Sequence, residues 1–278
     1  KVRRLISVVF YKRLVSITNV LWAYTWKLFI PLLTILGLSQ GYLLYKNFTN
    51  ASFENLYDQS RYGLKLNPDM ELKPWSLRFE EYLAKSHVND IFLLVLIITI
   101  VILASISLRQ KLASKAEYTY LRLPISNYSL FFANVLYAIS ILAILFAFQL
   151  IIILMGYQMY LYFVPEEAVM TQGLFLAFVR WDFLNKFFPI IYPFKIITNI
   201  LMLFHVGILI TYTNMLVLLR SNRRTTIIVG LFPFLINSYE GIGGFIFVTV
   251  VVVIIDLWML LTYPLMLKEV EKEEKNDG

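Results

Sequence analysis

The chain has 278 residues, of which 59% are hydrophobic and only 15% are charged. Its mean hydropathy of +0.69 exceeds what a soluble domain needs to fill its core, so the composition predicts a protein dissolved in lipid. The net charge of +7 does not indicate nucleic-acid binding, because the basic residues form small clusters beside apolar runs, the arrangement that sets membrane topology. The sequence contains no cysteine, which excludes disulfides, thiolate metal ligands and a cysteine nucleophile in this chain.

Residues 1–20 alternate basic and apolar residues and lack a small-residue cleavage site, so we expect them to remain in the mature protein. Most of the basic positions fall on one side of a helix. This pattern predicts an amphipathic helix lying in the plane of the cytoplasmic leaflet. The alternative is an inner extension of the first membrane span.

Six further runs are apolar enough to be helices that cross the hydrocarbon layer, which is about 30 Å thick. They cover residues 26–45, 91–108, 128–157, 196–219, 226–239 and 245–267. The fifth is the shortest and contains Pro233, so it either extends toward Asn222 or enters the bilayer and turns back. We therefore predict an all-α polytopic membrane protein, with a domain of about six spans over residues 21–267.

The orientation of these spans follows from the arginines and lysines in the connections 109–125 and 220–224, which the positive-inside rule places in the cytoplasm. An even number of spans then makes both termini cytoplasmic, including the charged tail 268–278. The outer segments are 46–90, which is polar with a helix-like stretch near residues 75–85, and 158–194, which stays apolar and aromatic. The composition of segment 158–194 predicts an interfacial or re-entrant helix. Pro165 predicts the end of the third long helix.

The cytoplasmic connection 109–125 is compatible with a helix up to Leu123, and Pro124 then stops it. Two interpretations stand. One is a plain basic connector that obeys the positive-inside rule. The other is a short amphipathic helix that docks in a groove on a partner protein.

The end of this connection, Leu121-Arg122-Leu123-Pro124-Ile125-Ser126 with Glu117 upstream, resembles the loop between the second and third spans of type-2 ATP-binding-cassette permeases. The order of a basic amphipathic helix followed by six spans is also similar to that family. The resemblance implies that the loop is a coupling helix, which inserts into a separate nucleotide-binding ATPase subunit. Its docking residues would be Lys115, Glu117, Tyr118, Tyr120, Leu121, Arg122, Leu123 and Pro124. Two features depart from the family pattern, namely Asn127 in place of a basic residue and the length of segment 46–90.

The same resemblance implies a function. The chain would be the permease subunit of an exporter in a bacterial plasma membrane, paired with a second permease copy as a homodimer or heterodimer. It would be no enzyme itself and would hold no cofactor, since ATP and Mg²⁺ would bind the partner ATPase; the sequence has no Gly-x-x-x-x-Gly-Lys-Ser/Thr loop. The passenger would be hydrophobic or amphipathic: a peptide, drug, lipid or lipid-linked glycan.

Polar residues inside the predicted spans are functional candidates, because inserting a charge into lipid costs about 2.5 to 3.5 kcal/mol. Asp256 interrupts an otherwise apolar run over residues 250–258, so it must face a partner or water. It can form an interhelical hydrogen bond, line a transport pathway or take part in a proton relay, for which His205 is the only intramembrane histidine. Asn199 and Asn214 are candidates for the first two roles.

Two other classes of function compete with the exporter. Asp256 fits an ion- or proton-coupled secondary transporter, which would work without an ATPase. The outer segments fit a membrane-bound enzyme or assembly factor, which would act without transport.

Overall fold

The computed structural model describes residues 2–50, 78–113, 127–164, 166, 169–170, 172–218, 228–231, 233 and 242–276. This part of the chain is almost entirely helical, which confirms the predicted all-α class. Its helices are α1 (Val2–Asn50), α2 (Phe79–Lys85), α3 (Val88–Ala113), α4 (Asn127–Phe163), α5 (Gly173–Arg180), α6 (Asp182–Phe187), α7 (Pro193–Leu218) and α8 (Ile242–Asn276).

Five of these helices are long and apolar enough to cross a bilayer. The crossing segments are Thr25–Thr49, Val88–Ser105, Phe131–Phe163, Pro193–Leu216 and Gly243–Leu265. They carry exposed apolar side chains such as Leu38 and Leu261, as lipid-facing helices do. The chain is therefore a multi-pass membrane protein, and five of the six predicted spans are confirmed. The sixth, 226–239, falls mostly outside the described residues.

The predicted boundaries of α1 and α4 have different outcomes. α4 ends at Phe163, two positions before Pro165, where the sequence predicted its end. α1 is helical without a break across residue 20, the predicted boundary between the in-plane helix and the first span. The side chains of residues 2–21 lie outside the description, so the in-plane position of the first 20 residues stays a prediction.

The two segments that the sequence predicts to be outer, 46–90 and 158–194, carry short helices. α2 occupies the second half of the helix-like stretch predicted near residues 75–85, and segment 158–194 contains two helices, α5 and α6, where the sequence predicted one. Trp181 separates α5 from α6 because its backbone is extended, with φ of −83° and ψ of 117°. At about 1.5 Å per residue, neither α5 nor α6 is long enough to cross a membrane.

The chain divides into two compact units. Unit 1 comprises Lys1–Phe29, Ile97–Ile144 and Phe194–Gly278, and unit 2 comprises Ile30–Leu96 and Leu145–Pro193. Unit 1 therefore holds α8 and all of α7 except its first residue, Pro193, and unit 2 holds all of α2, α5 and α6.

Contacts within unit 1 bring together the first part of α1 and α4 and the last part of α3, α7 and α8. Tyr137 of α4 donates a hydrogen bond to Thr25 of α1, and Asn214 of α7 donates one to the Leu103 carbonyl of α3, at 2.9 Å. The rings of Phe131 in α4 and Tyr263 in α8 lie 4.7 Å apart between centroids. These parts of the five helices therefore lie on one side of unit 1.

α7 and α8 run in the same direction, although they are consecutive among the five long helices. Thr198 contacts Thr249 and Tyr212 contacts Thr262, so the residue numbers rise together along both helices. Met202, Val248 and Val252 fill the interface between the two. The chain must therefore return across the same distance between Leu218 and Ile242. Residues 219–241 are numerous enough for this return, since at about 1.5 Å each in a helix they reach roughly 35 Å.

Unit 2 is held by close helix packing and by aromatic side chains. A Cβ added at Gly156 of α4 would lie 3.2 Å from Leu44 Cδ1 of α1, so the glycine lets these two helices approach closely. The Phe92 ring of α3 lies 5.3 Å from Phe146 of α4 and 5.5 Å from Phe183 of α6, between centroids. These contacts hold the short helix α6 against α3 and α4.

Candidate functional site

The residues predicted to matter fall into two groups with different outcomes. The proposed docking residues, Lys115, Glu117, Tyr118, Tyr120, Leu121, Arg122, Leu123 and Pro124, lie outside the described residues, and their role stays a prediction. The intramembrane candidates are all described and all belong to unit 1. Asn199, His205 and Asn214 lie on α7, and Asp256 lies on α8.

His205 and Asp256 meet inside the bundle. The Nδ1 atom of His205 lies 2.6 Å from Oδ1 of Asp256, a short distance typical of a hydrogen bond that involves an ionised group. The histidine side chain is fully buried and the aspartate side chain is 15% exposed. The structure thus brings together the two residues that the sequence named as relay partners. Their contact offsets the free-energy cost of burying the Asp256 carboxylate.

The second ring nitrogen of His205 contacts the return segment between α7 and α8. Its Nε2 atom lies 2.7 Å from the Gly230 carbonyl oxygen. A carbonyl oxygen only accepts hydrogen bonds, so Nε2 must carry a hydrogen atom and donate it. Both ring nitrogens are therefore engaged, one by each neighbouring element.

Gly230 fits this position because it has no side chain. A Cβ at Gly230 would lie 2.6 Å from Leu209 Cδ1 of α7 and 3.5 Å from the Met259 sulfur of α8. Residues 228–230 are helical, and the Leu231 amide bonds to the Ile228 carbonyl at 3.2 Å. This turn therefore packs into the groove between α7 and α8 closely enough for its backbone to reach His205.

Along the described lengths of α7 and α8, the His205–Asp256 contact lies between two other side-chain contacts that join these helices. Thr198 Oγ1 lies 3.0 Å from Thr249 Oγ1, and Tyr212 Oη lies 3.3 Å from Thr262 Oγ1. The α7 members are spaced by seven residues (198, 205 and 212), which keeps them on one face of the helix. The face of α7 that meets α8 is therefore a polar stripe inside the bundle.

The two asparagines make separate contacts. The Asn214 side chain donates to the Leu103 carbonyl of α3, so it acts as the interhelical hydrogen bond that was one of its two predicted roles. Asn199 is partly buried and lies six residues before His205 along α7.

Unit 2 contains a second polar group that the sequence did not single out. Glu80 of α2 is buried, with its side chain 10% exposed. The Nη1 atom of Arg180 in α5 lies 3.6 Å from Oε1 of Glu80. Burial raises the pKa of the neighbouring Tyr82, with smaller contributions from Tyr160 and Glu81, so this phenol is neutral. The ion pair thus joins the short helices α2 and α5 in an apolar setting.

Two functional features were missed by reasoning from sequence. Gly230 contributes a backbone carbonyl oxygen, and the type of a residue does not reveal such a role. A glycine inside a predicted span does, however, indicate that two helices approach each other closely. Glu80 stands in a charged stretch, Phe79-Glu80-Glu81, and its burial follows only from the packing of α2.

The described residues contain no group of three or more His, Cys, Asp and Glu side chains arranged to hold a metal ion. No known protein family, curated protein or solved structure matches this chain. What the sequence and structure establish is an all-α, multi-pass membrane protein with a buried His205–Asp256 pair.

Proposed function

We propose that this chain is the permease subunit of an ATP-driven exporter that moves a hydrophobic or amphipathic substrate outward. The observation that carries the proposal is where the described helices α3 and α4, which the connection 109–125 joins, lie within unit 1. The last part of α3 and the first part of α4 lie on one side of unit 1, together with the part of α1 around Thr25 and the last parts of α7 and α8. A partner bound to this connection would act on all of these parts of the helices.

The contacts of unit 1 offer a path for such a movement. α3 is bonded to α7 through Asn214, and α4 packs on α8 through Phe131 and Tyr263. A displacement of the α3–α4 connection would therefore act on α7 and α8, which bond to each other along their length. Export requires two states of the spans, and nucleotide binding by the partner would shift the balance between them.

The remaining parts of the machine lie on other chains in this proposal. ATP and Mg²⁺ bind the ATPase subunits, and a second permease copy, identical or related, completes the pathway. The arginines and lysines of connections 109–125 and 220–224 support a cytoplasmic location for this side of unit 1. Both termini are then cytoplasmic, in the plasma membrane of a bacterial cell.

The test is affinity purification of the full chain from its native membrane, with identification of bound proteins and an ATPase assay. We expect an ATPase subunit to co-purify with the wild type and to be lost from the double variant Glu117→Arg, Leu123→Asp. Glu81→Arg, a charge reversal at an exposed glutamate of α2, is the matched control and should retain the subunit. If gentle extraction yields no ATPase with the wild-type chain, the exporter proposal is wrong.

A second candidate function is a proton-coupled secondary transporter, and the buried His205–Asp256 pair is the observation that favours it. Proteoliposomes that contain this chain alone would then transport substrate in response to a proton gradient. Asp256→Asn would abolish the coupling, whereas Asp90→Asn, at an exposed histidine–aspartate contact, would leave it intact. Transport that requires ATP and a second protein would exclude this candidate.

A further inference from the structure

The surroundings of His205 restrict where its protons can be. The Gly230 carbonyl accepts a hydrogen bond from Nε2, so one ring proton is committed to that side. The protonation of the other side depends on the gap between His205 Nδ1 and Asp256 Oδ1, which are 2.6 Å apart. The number of protons in that gap sets the charge of the whole cluster.

Only one proton fits this gap. With none, a nitrogen lone pair would face a carboxylate oxygen at 2.6 Å, and a negative charge would be buried without a donor. With two, an N–H and an O–H would point at each other, and the cluster would carry a buried positive charge. With one, the two atoms share a hydrogen bond and the cluster is neutral, whether the proton is drawn on the histidine or on the aspartate.

No other ionisable side chain in the described part of unit 1 lies next to the pair along its own helices. The ionisable residues there whose side chains are described are, besides the pair itself, Lys27 on α1, Tyr128 and Tyr137 on α4, Lys195 and Tyr212 on α7, and Tyr263 on α8. Tyr212 and Tyr263 are both seven residues from the pair, about 10 Å along a helix. Tyr137 bonds to Thr25, and Lys195 lies over the Phe245 ring at 5.8 Å. Among the described side chains, the shared proton therefore has no ionisable neighbour on the adjacent turns of α7 and α8.

The two sides of the gap differ in their access to the surroundings. The His205 side chain is fully buried, while the Asp256 side chain is 15% exposed. The 228–230 turn covers the histidine from the opposite side, where Gly230 packs against Leu209 and Met259. A proton therefore enters and leaves through the carboxylate.

We propose that His205, Asp256 and the Gly230 carbonyl form a binding site for one exchangeable proton, entered through Asp256 and closed by the 228–230 turn. Loss of this proton turns the 2.6 Å contact from attractive to repulsive, so it separates α8 from α7 or displaces the turn. The proposal goes beyond the exporter function and does not depend on it, because the site lies within this chain.

The test uses the full chain in lipid bilayers with ¹⁵N-labelled histidine. The sequence has only two histidines, so His87→Gln leaves His205 as the single labelled residue. Magnetic-resonance spectra show whether each ring nitrogen carries a proton, and the infrared carboxyl bands that Asp256→Asn removes show whether Asp256 is ionised. We expect a protonated Nε2 in every case, with either a protonated Nδ1 and ionised Asp256 or an unprotonated Nδ1 and neutral Asp256.

Several results would overturn the proposal. They are an unprotonated Nε2, an unprotonated Nδ1 beside an ionised Asp256, a protonated Nδ1 beside a neutral Asp256, or a gap proton that never exchanges with D₂O while the protein stays folded. Asp256→Asn should leave a ring with a single N–H, and Asp90→Asn should leave the His205 signals unchanged. If Asp256→Asn does not fold, the wild-type nitrogen signals and exchange still decide the outcome, with the carboxyl assigned by selective labelling of aspartate.

Discussion

The chain contains the same pair of residue types in two settings. His87 and Asp90 of unit 2 make a contact at 3.0 Å between Nδ1 and a carboxylate oxygen, three residues apart, with side chains 74% and 62% exposed. His205 and Asp256 of unit 1 make the contact at 2.6 Å between two helices, with side chains 0% and 15% exposed. Water can replace the partner in the first pair and cannot reach the histidine in the second. The same histidine–aspartate contact is therefore expected to contribute almost nothing to stability in unit 2 and a large part of it in unit 1.

The largest expected effect is from removal of the buried carboxylate. Asp256→Ala leaves His205 Nδ1 buried without its partner, and we expect the free energy of unfolding to fall by about 2 to 3 kcal/mol. Asp90→Ala should change it by less than about 1 kcal/mol, because that contact is exposed. Unfolding of both variants by titration from mild detergent into SDS measures the difference. Equal losses would show that burial does not distinguish the two pairs.

The next effect concerns the turn that closes the buried pair. Gly230→Ala places a Cβ 2.6 Å from Leu209 Cδ1, so we expect a loss of about 1 to 3 kcal/mol in the same unfolding assay. Gly243→Ala, where a Cβ has no atom within 4 Å, is the control and should not destabilise. Adding Leu209→Ala to Gly230→Ala removes the clashing side chain and should recover part of the lost free energy of unfolding. A Gly230→Ala variant as stable as Gly243→Ala would contradict the close approach.

A smaller effect tests whether burial also matters within unit 2. Arg180→Ala removes the cation 3.6 Å from the buried Glu80 carboxylate, and we expect a loss of about 1 kcal/mol, since the arginine is 44% exposed. Arg78→Ala, whose partner Glu81 is exposed, should lose about half of that or less. Combining Arg180→Ala with Glu80→Gln should recover most of the free energy of unfolding that Arg180→Ala loses. An Arg180 effect no larger than that of Arg78 would mean that Glu80 needs no counter-charge.

The smallest effect is at the end of the polar stripe. Thr198→Val removes the 3.0 Å contact with Thr249, and hydrogen bonds between membrane helices contribute about 0.6 kcal/mol on average. Thr34→Val, which loses only a bond to its own helix at the Ile30 carbonyl, should be close to neutral. Unfolding by SDS measures both variants. A loss at Thr198 that exceeds the loss at Asp256 would reverse the ranking derived from burial.

The sequence was sufficient to predict the helical class and five spans, because a run of about 20 apolar residues has few other uses. Pro165 marked the end of α4 for a local reason, since proline disrupts helix continuation. The division of segment 158–194 into α5 and α6 was not predictable in the same way, because the extended backbone at Trp181 has no glycine or proline to announce it.

The candidate site was predictable in part. A charge inside an apolar run demands a partner, and this reasoning led to Asp256 and named His205. It could not decide whether the two residues meet, because that depends on α7 and α8 running parallel. The contact with Gly230 depends in addition on the path of the chain between these helices.

The parallel course of α7 and α8 also governs the order of assembly. The partners His205 and Asp256 are 51 residues apart in the chain, and the return segment with Gly230 lies between them. At about 5 to 20 residues per second, the ribosome delivers Asp256 roughly 3 to 10 seconds after His205. During that interval the polar stripe of α7 has no contact with α8. α8 therefore completes the buried site, and synthesis that stops before Asp256 would leave His205 without its carboxylate for quality control to recognise.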